Sequence, residues 1–235
     1  MIDIHSHLIY GVDDGSRSLE ESIDILKNLS INGVTDIILT PHFINETKYT
    51  SLKLDNAKKL KELQKEVKNQ NININLYLGN EIYIDKNIFK LIEENKICTL
   101  NNTEYVLVEL PISGVYSDYQ DIINNLLNEG CKVILAHPER YDSFQKDYSK
   151  IDELLELGVL FQCNMDSIIG RYGMKAKKVM KQMLKDKKIT FLGTDIHNRK
   201  EDYTFIEKSK KKMLKYISED YLEDMLINNP KLIIK

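Results

Sequence analysis

The chain has 235 residues, of which 42% are hydrophobic and 29% are charged. This length can bury one good core and lies in the range of a single α/β barrel domain. Lys and Arg number 33 against 36 Asp and Glu, so the net charge of -3 does not support nucleic-acid binding. The apolar runs are too short to span a bilayer, and the N-terminal residues lack the features of a signal peptide. We therefore expect a cytoplasmic protein without a membrane anchor.

Three cysteines, Cys98, Cys131 and Cys163, are spread along the chain. Their odd number and wide spacing argue against a disulfide framework, and no two of them form a Cys-x-x-Cys pair. Phosphatases with a cysteine nucleophile carry an arginine six positions after it. Here those three positions hold a glutamate, a histidine and an isoleucine, which excludes a thiolate mechanism of that type.

Short β-rich runs alternate with amphipathic stretches along the chain. The predicted strands are Ile2–Ile4, Asp36–Thr40, Ile74–Leu78, Tyr105–Glu109, Lys132–Leu135, Val159–Gln162 and Thr190–Leu192. The predicted helices between them are Ser18–Asn32, Leu54–Lys68, Asp118–Asn128, Ile151–Leu157 and Met174–Lys185. Residues 203–235 add one or two further helices. This alternation predicts a parallel sheet closed into a (β/α) barrel, in one domain spanning residues 1–235.

Every histidine of the chain falls just after a predicted strand. The five are His5, His7, His42, His137 and His197. Acidic residues occupy matching places, with Glu81, Glu109 and Asp195 near strand ends and Asp13 and Asp14 in the first βα loop. In a parallel barrel the carboxyl ends of the strands form one face, where active sites are built. Converging imidazole and carboxylate groups are typical of a multinuclear Mn²⁺, Fe or Zn²⁺ site.

Each of these residues also has a plain structural interpretation. His137-Pro138 and Asp13-Asp14-Gly15 are ordinary turn sequences, and a single histidine on a loop is seldom a ligand. The spacing favours a site, because His5-Ser6-His7 places two imidazoles on the same side of an extended segment. Since no histidine is left over on a helix, we predict a metal cluster.

Seven motifs along nearly the whole chain point to a family. They are Asp3-Ile4-His5-Ser6-His7, Gly11-Val12-Asp13-Asp14-Gly15, Thr40-Pro41-His42, Gly79-Asn80-Glu81, Val108-Glu109-Leu110-Pro111, Ala136-His137-Pro138-Glu139-Arg140 and Thr194-Asp195-Ile196-His197-Asn198. With them the chain resembles the PHP (polymerase and histidinol phosphatase) superfamily. Within it, the chain is similar to the bacterial manganese-dependent tyrosine phosphatases of capsule and exopolysaccharide loci, the CpsB/YwqE type. The first motif indicates only the superfamily, whereas the Asp-Asp-Gly loop and His-Pro-Glu-Arg indicate this branch.

The resemblance implies a distorted, TIM-like (β/α)7 barrel that holds three metal ions, with Mn²⁺ expected and Fe or Zn²⁺ compatible with the same ligands. The implied ligands of the first ion are His5, His7, Glu81 and Asp195. Glu81 would bridge to a second ion completed by Glu109 and His137, and the third ion would be held by Asp14, His42 and His197. Arg140 and Arg199 would contact the phosphate.

The implied activity is hydrolysis of phosphotyrosine on the tail of a cognate tyrosine kinase that controls capsule or exopolysaccharide synthesis. Attack by a metal-bound hydroxide would make the chain a phosphoric monoester hydrolase without a protein nucleophile. The alternatives are a small-molecule phosphatase of the histidinol-phosphate type and a non-catalytic regulatory domain. Aromatic residues that follow predicted strands, namely Phe43, Tyr116 and Tyr172, are candidates for the rim of the site.

Overall fold

The structure is a computed structural model that describes residues 1–114, 118–198 and 202–235. The strands are β1 (Ile2–Asp3), β2 (Asp36–Leu39), β3 (His42–Phe43), β4 (Asn75–Leu78), β5 (Glu81–Tyr83), β6 (Tyr105–Glu109), β7 (Lys132–Ala136), β8 (Leu160–Asn164) and β9 (Phe191–Gly193). The α-helices are α1 (Leu19–Ile31), α2 (Lys53–Asn69), α3 (Ile88–Glu93), α4 (Tyr119–Asn128), α5 (Asp142–Lys146), α6 (Ser149–Glu156), α7 (Gly173–Lys185), α8 (Phe205–Met213) and α9 (Glu219–Glu223). No helix among the described residues is long and apolar enough to cross a membrane.

The strands pair in parallel throughout and form a barrel. The pairing order is β1-β2-β4 in one sheet and β3-β5-β6-β7-β8-β9 in the other. Because β3 and β5 directly follow β2 and β4 along the chain, the two sheets together provide seven strand positions. The ring closes where the His7 amide donates to the Ile196 carbonyl and the Asp195 amide donates to the His5 carbonyl, both at 2.9 Å. The predicted parallel α/β barrel is confirmed.

Two strands that the sequence did not predict, β3 and β5, carry site residues. Pro41 has no amide hydrogen, so the β2 ladder stops before it. The side chain of Asn80 fills the gap, donating to the Pro41 carbonyl and accepting from the Cys98 amide, each at 2.9 Å. The chain then resumes pairing with His42 opposite Glu81. The break therefore aligns these two side chains at the barrel end.

Side chains alternate between two separate cores. Val106 and Val108 of β6 point outward into the layer between the barrel and its helices, whereas Tyr105 and Leu107 point into the barrel interior. This is the alternation expected of a strand covered on both faces. The interior core is completed from below by Ile233, which is fully buried near the end of the chain.

The helices agree with their predicted positions to within three residues. Ser18 caps α1 by accepting a hydrogen bond from the Glu21 amide at 3.2 Å. Gly33, Gly130 and Gly158 follow helices with φ of 88°, 84° and 92°, as a left-handed C′ position requires. Helices α3 and α5 were missed, because six and five residues are too few for a helical period to show.

Ile233, which completes the interior core from below, and the neighbouring Leu232 allow a matched pair of substitutions. We expect Ile233→Ala to lower the free energy of unfolding by about 2–4 kcal/mol, since it opens a cavity in the interior core. Leu232→Ala, at a neighbouring side chain that is 48% exposed, should change it by no more than about 0.5 kcal/mol. Urea unfolding followed by circular dichroism measures both. Equal effects of the two substitutions would contradict the placement of Ile233 under the barrel.

Candidate metal centre

The predicted site residues that the structure describes meet at the carboxyl end of the barrel. Three overlapping groups of side chains could each hold a metal ion, since their nitrogen and oxygen atoms lie within 4.8 Å of one another. The groups are His5, His7, Glu81 and Asp195; then His42, Glu81 and Glu109; then His7, Asp14, His42 and His197. All nine predicted ligands lie in or beside these groups.

The first group is the most deeply buried. His5 Nε2 lies 3.1 Å from Glu81 Oε2 and 3.4 Å from Asp195 Oδ1. His7 Nε2 lies 3.2 Å and 3.3 Å from the same two oxygens. The two Nε2 atoms are 3.1 Å apart. Two nitrogens and two oxygens thus converge on one point at distances that a single ion between them would satisfy.

The other two groups share His42, and here the arrangement differs from the implied one. His42 Nδ1 lies 3.1 Å from Glu81 Oε2 and 3.0 Å from Glu109 Oε1, where the resemblance implied His137 as the nitrogen ligand. His137 Nε2 lies 2.8 Å from the other oxygen, Glu81 Oε1. His42 Nε2 faces Asp14 Oδ1 at 3.5 Å. His42 therefore belongs to two of the groups, and Glu81 contacts both His42 and His137.

For three of the five imidazoles, a hydrogen bond at Nδ1 decides which nitrogen faces the centre. His5 Nδ1 is 2.8 Å from Gln162 Oε1, His7 Nδ1 is 2.8 Å from Asp13 Oδ2, and His197 Nδ1 is 2.9 Å from the Asp195 carbonyl. Each partner atom is an acceptor, so Nδ1 carries a hydrogen, and in the neutral imidazole Nε2 holds the lone pair. This is how proteins orient histidines that ligate metals.

Several buried atoms at the centre have no hydrogen-bond partner within the described parts of the chain. They are Glu81 Oε2, Asp195 Oδ1 and His42 Nδ1. A buried carboxylate oxygen without a donor is costly, and a cation is one way to satisfy it. The donor set therefore fits a divalent metal ion bound by mixed nitrogen and oxygen ligands.

The charges of the cluster are strongly coupled. Burial lowers the pKa of His5, but the carboxylates of Glu81 and Asp195 outweigh burial and raise it to about 9. Burial raises the pKa of Glu81, yet the neighbouring His5 and His42 hold it well below its usual range. Burial and the nearby His7 lower the pKa of His197 to about 4. The positive charge of protonated imidazoles thus offsets the negative charge of the carboxylates. Binding of a metal ion to these imidazoles would release their protons.

A second layer of polar residues supports the cluster, and the sequence analysis assigned no role to two of them, Gln162 and Asn164. Asp13 accepts from His7 and also from the His42 amide at 2.9 Å. Asn164 donates to Asp195 Oδ2 at 2.7 Å and accepts from Gln162 at 3.0 Å. The available signal was in the buried strand β8, where Gln162 and Asn164 are polar at positions that point into the barrel, although Leu160 at the start of the strand packs against the interior core.

Two of the site residues have a left-handed backbone although neither is glycine. His137 has φ of 35° and Asp195 has φ of 50°. Such conformations cost of the order of 1–3 kcal/mol and persist where the surrounding structure enforces them, often at functional sites. His137 directly follows β7, and Asp195 lies two residues after the end of β9, so both bends occur where the chain leaves a strand at the site.

Arg140 lies at the edge of the cluster. Its Nη1 is 2.7 Å from Asp195 Oδ2, its guanidinium lies 4.5 Å from the centroid of the Tyr172 ring, and its side chain is 24% exposed. Of the proposed rim aromatics, Tyr172 therefore lies at the site, whereas Phe43 is buried in the outer core, so that prediction was wrong. Arg199 and Tyr116 lie outside the described residues.

Histidines and carboxylates gathered at the carboxyl ends of the barrel strands are typical of metal-dependent hydrolases, and a solved structure of such a hydrolase shares the fold. A histidinol phosphate phosphatase from Lactococcus lactis, solved with zinc, superposes with a TM-score of 0.60 over 92% of this chain and 93% of that one, at 16% identity. That likeness shows the fold alone.

The chain belongs to the family described as "Capsular polysaccharide synthesis, CpsB/CapC", whose sequence profile matches residues 1–235. It is 28% identical to the tyrosine-protein phosphatase CpsB of Streptococcus pneumoniae over 242 residues, which cover 100% of this chain and 98% of that protein. A crystal structure from work on YwqE of Bacillus subtilis and CpsB of Streptococcus pneumoniae, described as metal-dependent tyrosine phosphatases, superposes with a TM-score of 0.92 at 26% identity. That match covers 100% of this chain and 94% of the other.

Gly15 is required by its close approach to His7. A Cβ atom at this position would lie 2.1 Å from the His7 carbonyl oxygen and 2.6 Å from the His7 Cβ. We therefore expect Gly15→Ala to displace His7 and to weaken binding of a divalent cation by about 10–100-fold, the range seen when residues behind metal ligands are lost. Equilibrium dialysis with metal analysis measures this effect.

Gly33→Ala is the control for this prediction. Gly33 has φ of 88° with no atom within 4 Å of an added Cβ. The variant should be destabilised by about 1 kcal/mol through backbone strain alone and should bind the cation normally. Unchanged cation binding in Gly15→Ala would show that the loop does not position His7.

Proposed function

We propose that this chain is a metal-dependent protein-tyrosine phosphatase. The observation that carries the proposal is that His5, His7 and His197 each use Nδ1 in a hydrogen bond and direct Nε2 toward a carboxylate. That carboxylate is the buried Glu81 for His5 and His7 and the half-exposed Asp14 for His197. The family relation supports the same activity, since relatives along the full length of the chain are named tyrosine-protein phosphatases.

The proposed metal ligands are the nine residues of the cluster: His5, His7, Asp14, His42, Glu81, Glu109, His137, Asp195 and His197. We infer three ions, because three groups of donors overlap through shared side chains. Mn²⁺ is the proposed metal. Mixed imidazole and carboxylate ligation suits Mn²⁺ and is also compatible with Fe or Zn²⁺.

Each part of the site has a distinct task in ester hydrolysis. A bound divalent cation lowers the pKa of water toward 7 and offsets the charge of the phosphoryl oxygens. Asp13 and Gln162 hold the imidazoles of His7 and His5 in the tautomer that ligates. The phenol of tyrosine has a pKa of about 10, so its anion leaves without a strong general acid. No protein nucleophile is required.

Arg140 is the proposed phosphate-binding residue. Asp195 occupies Nη1 and the Tyr172 ring faces the guanidinium plane, which together fix its orientation. The remaining N–H groups are then free to bind phosphate oxygens, and a guanidinium can bind two of them at once. Arg199 is proposed as a second phosphate contact.

The proposed substrate is the phosphorylated tail of a cognate bacterial tyrosine kinase that acts in capsule or exopolysaccharide synthesis. The described family supports this setting, because its members are assigned to capsular polysaccharide synthesis. We propose that residues 1–235 form one domain that works in the cytoplasm, with its C-terminal helices packed on the barrel, and that its kinase recruits it to the membrane.

Metal removal tests the activity. Protein stripped with a chelator should lose hydrolysis of a phosphotyrosine peptide, and Mn²⁺ should restore it, because the nine side chains cannot generate hydroxide alone at neutral pH. Histidinol phosphate is assayed in parallel. Turnover of histidinol phosphate but not of the peptide would assign the chain to small-molecule metabolism. Absence of both activities in metal-loaded protein would favour a regulatory role.

Two substitutions separate metal binding from phosphate binding. Glu81→Gln removes the carboxylate that contacts His5, His42 and His137, so metal and nearly all turnover should be lost. Arg140→Ala should retain the metal and lower kcat/KM about 10–100-fold, the value of charge-assisted hydrogen bonds to phosphate. Arg140→Lys keeps the charge, and its kcat/KM should lie between those of wild type and Arg140→Ala. Metal loss in Arg140→Ala would instead assign Arg140 a structural role.

A further inference from the structure

A groove with a volume of about 560 Å³ lies between α5 and α7, next to the Arg140 loop. Its floor is apolar, with Phe144 and Val179 largely buried. Lysines surround it: Lys146 on α5, and Lys175 and Lys178 on α7. Asp142 is the acidic residue among those that line it. The groove therefore combines an apolar base with a cationic margin.

The groove carries a local excess of positive charge, whereas the chain as a whole is slightly negative. Helix α7 contains five lysines and no acidic residue, although the chain has a net charge of -3. Its first turn has no acidic side chain, where the helix dipole would favour one. Within residues 1–114, 118–198 and 202–235, none of the three groove lysines forms an ion pair with a carboxylate. The margin can therefore accept anions from outside the chain.

The groove shares its walls with the proposed phosphate site. Gln145, which lines the groove, donates to the Glu139 carbonyl at 2.9 Å and to the Arg140 carbonyl at 3.3 Å. Tyr172, which faces the Arg140 guanidinium, directly precedes α7. A ligand held by Arg140 can therefore continue along α7 into the groove.

Helix geometry limits how far that continuation extends. Lys175 and Lys178 are three and six residues beyond Tyr172, which corresponds to about 4.5 Å and 9 Å along the helix axis. An extended peptide advances about 3.3–3.6 Å per residue. Side chains about one to three residues away from a phosphotyrosine bound at Arg140 would therefore lie opposite the lysines.

We propose that this groove binds acidic side chains that flank the phosphotyrosine of a peptide substrate, at positions about one to three residues from it. This inference rests on the proposed phosphatase function and adds a preference for acidic sequences. Separate lysine ammonium groups along a groove suit a row of carboxylates, whereas a single phosphate is better matched by a guanidinium fork. The apolar floor accommodates the aliphatic stems of glutamate side chains.

The test compares matched peptides on the Mn²⁺-loaded full chain. Each phosphotyrosine peptide carries either Glu or Gln at positions about one to three residues from the phosphotyrosine, on the N-terminal or the C-terminal side. On one side, wild type should show a kcat/KM about tenfold higher for Glu than for Gln at low salt, with the ratio falling as salt is added. Lys175→Glu/Lys178→Glu should reverse the preference, because like charges would then face each other.

Two controls make the outcomes distinguishable. Lys61→Glu/Lys65→Glu on α2 makes the same change in net charge away from the groove and should keep the wild-type preference. Free phosphotyrosine is too short to reach the groove, so its hydrolysis reports the metal centre and the folding of each variant. Equal use of Glu and Gln peptides by wild type, or an unchanged preference in Lys175→Glu/Lys178→Glu, would overturn the groove assignment. Failure of metal-loaded wild type on free phosphotyrosine as well as on all peptides would overturn the phosphatase proposal itself.

Discussion

The closure of the barrel between the first and last strands is the constraint on which the site depends. The backbone of residues 5–7 pairs with that of residues 195–196 through two hydrogen bonds of 2.9 Å. Asp3 reinforces this seam, since its carboxylate accepts from the amide and the hydroxyl of Thr194 at 3.0 Å and 2.6 Å. These contacts join His5 and His7 to Asp195 across about 190 residues of chain, so the first cluster exists only when the barrel is closed.

The carboxyl end of the barrel buries many charged side chains. Opposite charges and hydrogen bonds beside them offset the cost of burial. Imidazoles surround Glu81, and hydrogen bonds from His7 and two backbone amides hold the pKa of buried Asp13 at about 2, although burial raises it. Such groups would be unfavourable in a barrel interior unless they were paired. The polar layer lies above a separate apolar core. The residues that stabilise the barrel interior are therefore different from those that form the site.

Recognition of the substrate involves elements on one side of the barrel. Arg140 and Tyr172 precede α5 and α7, and the lysine-lined groove lies between these two helices. A phosphate near the cluster and the flanking peptide would therefore be bound by a continuous surface. Because the groove lies outside the metal centre, sequence preference can change there without altering the chemistry of the site.

Local patterns in the sequence determined the seven main strand positions, the longer helices and the gathering of histidines and carboxylates at the strand ends, because period and residue type act over short distances. The resemblance to the family then implied the set of nine candidate ligands. Only the tertiary structure decided how the ligands are shared. It placed His42 beside Glu109, where the sequence reasoning had placed His137. It also recruited Gln162 and Asn164 as supporting residues. Register and closure bring together side chains that are far apart along the chain, and no local pattern encodes which atom of each will face the centre.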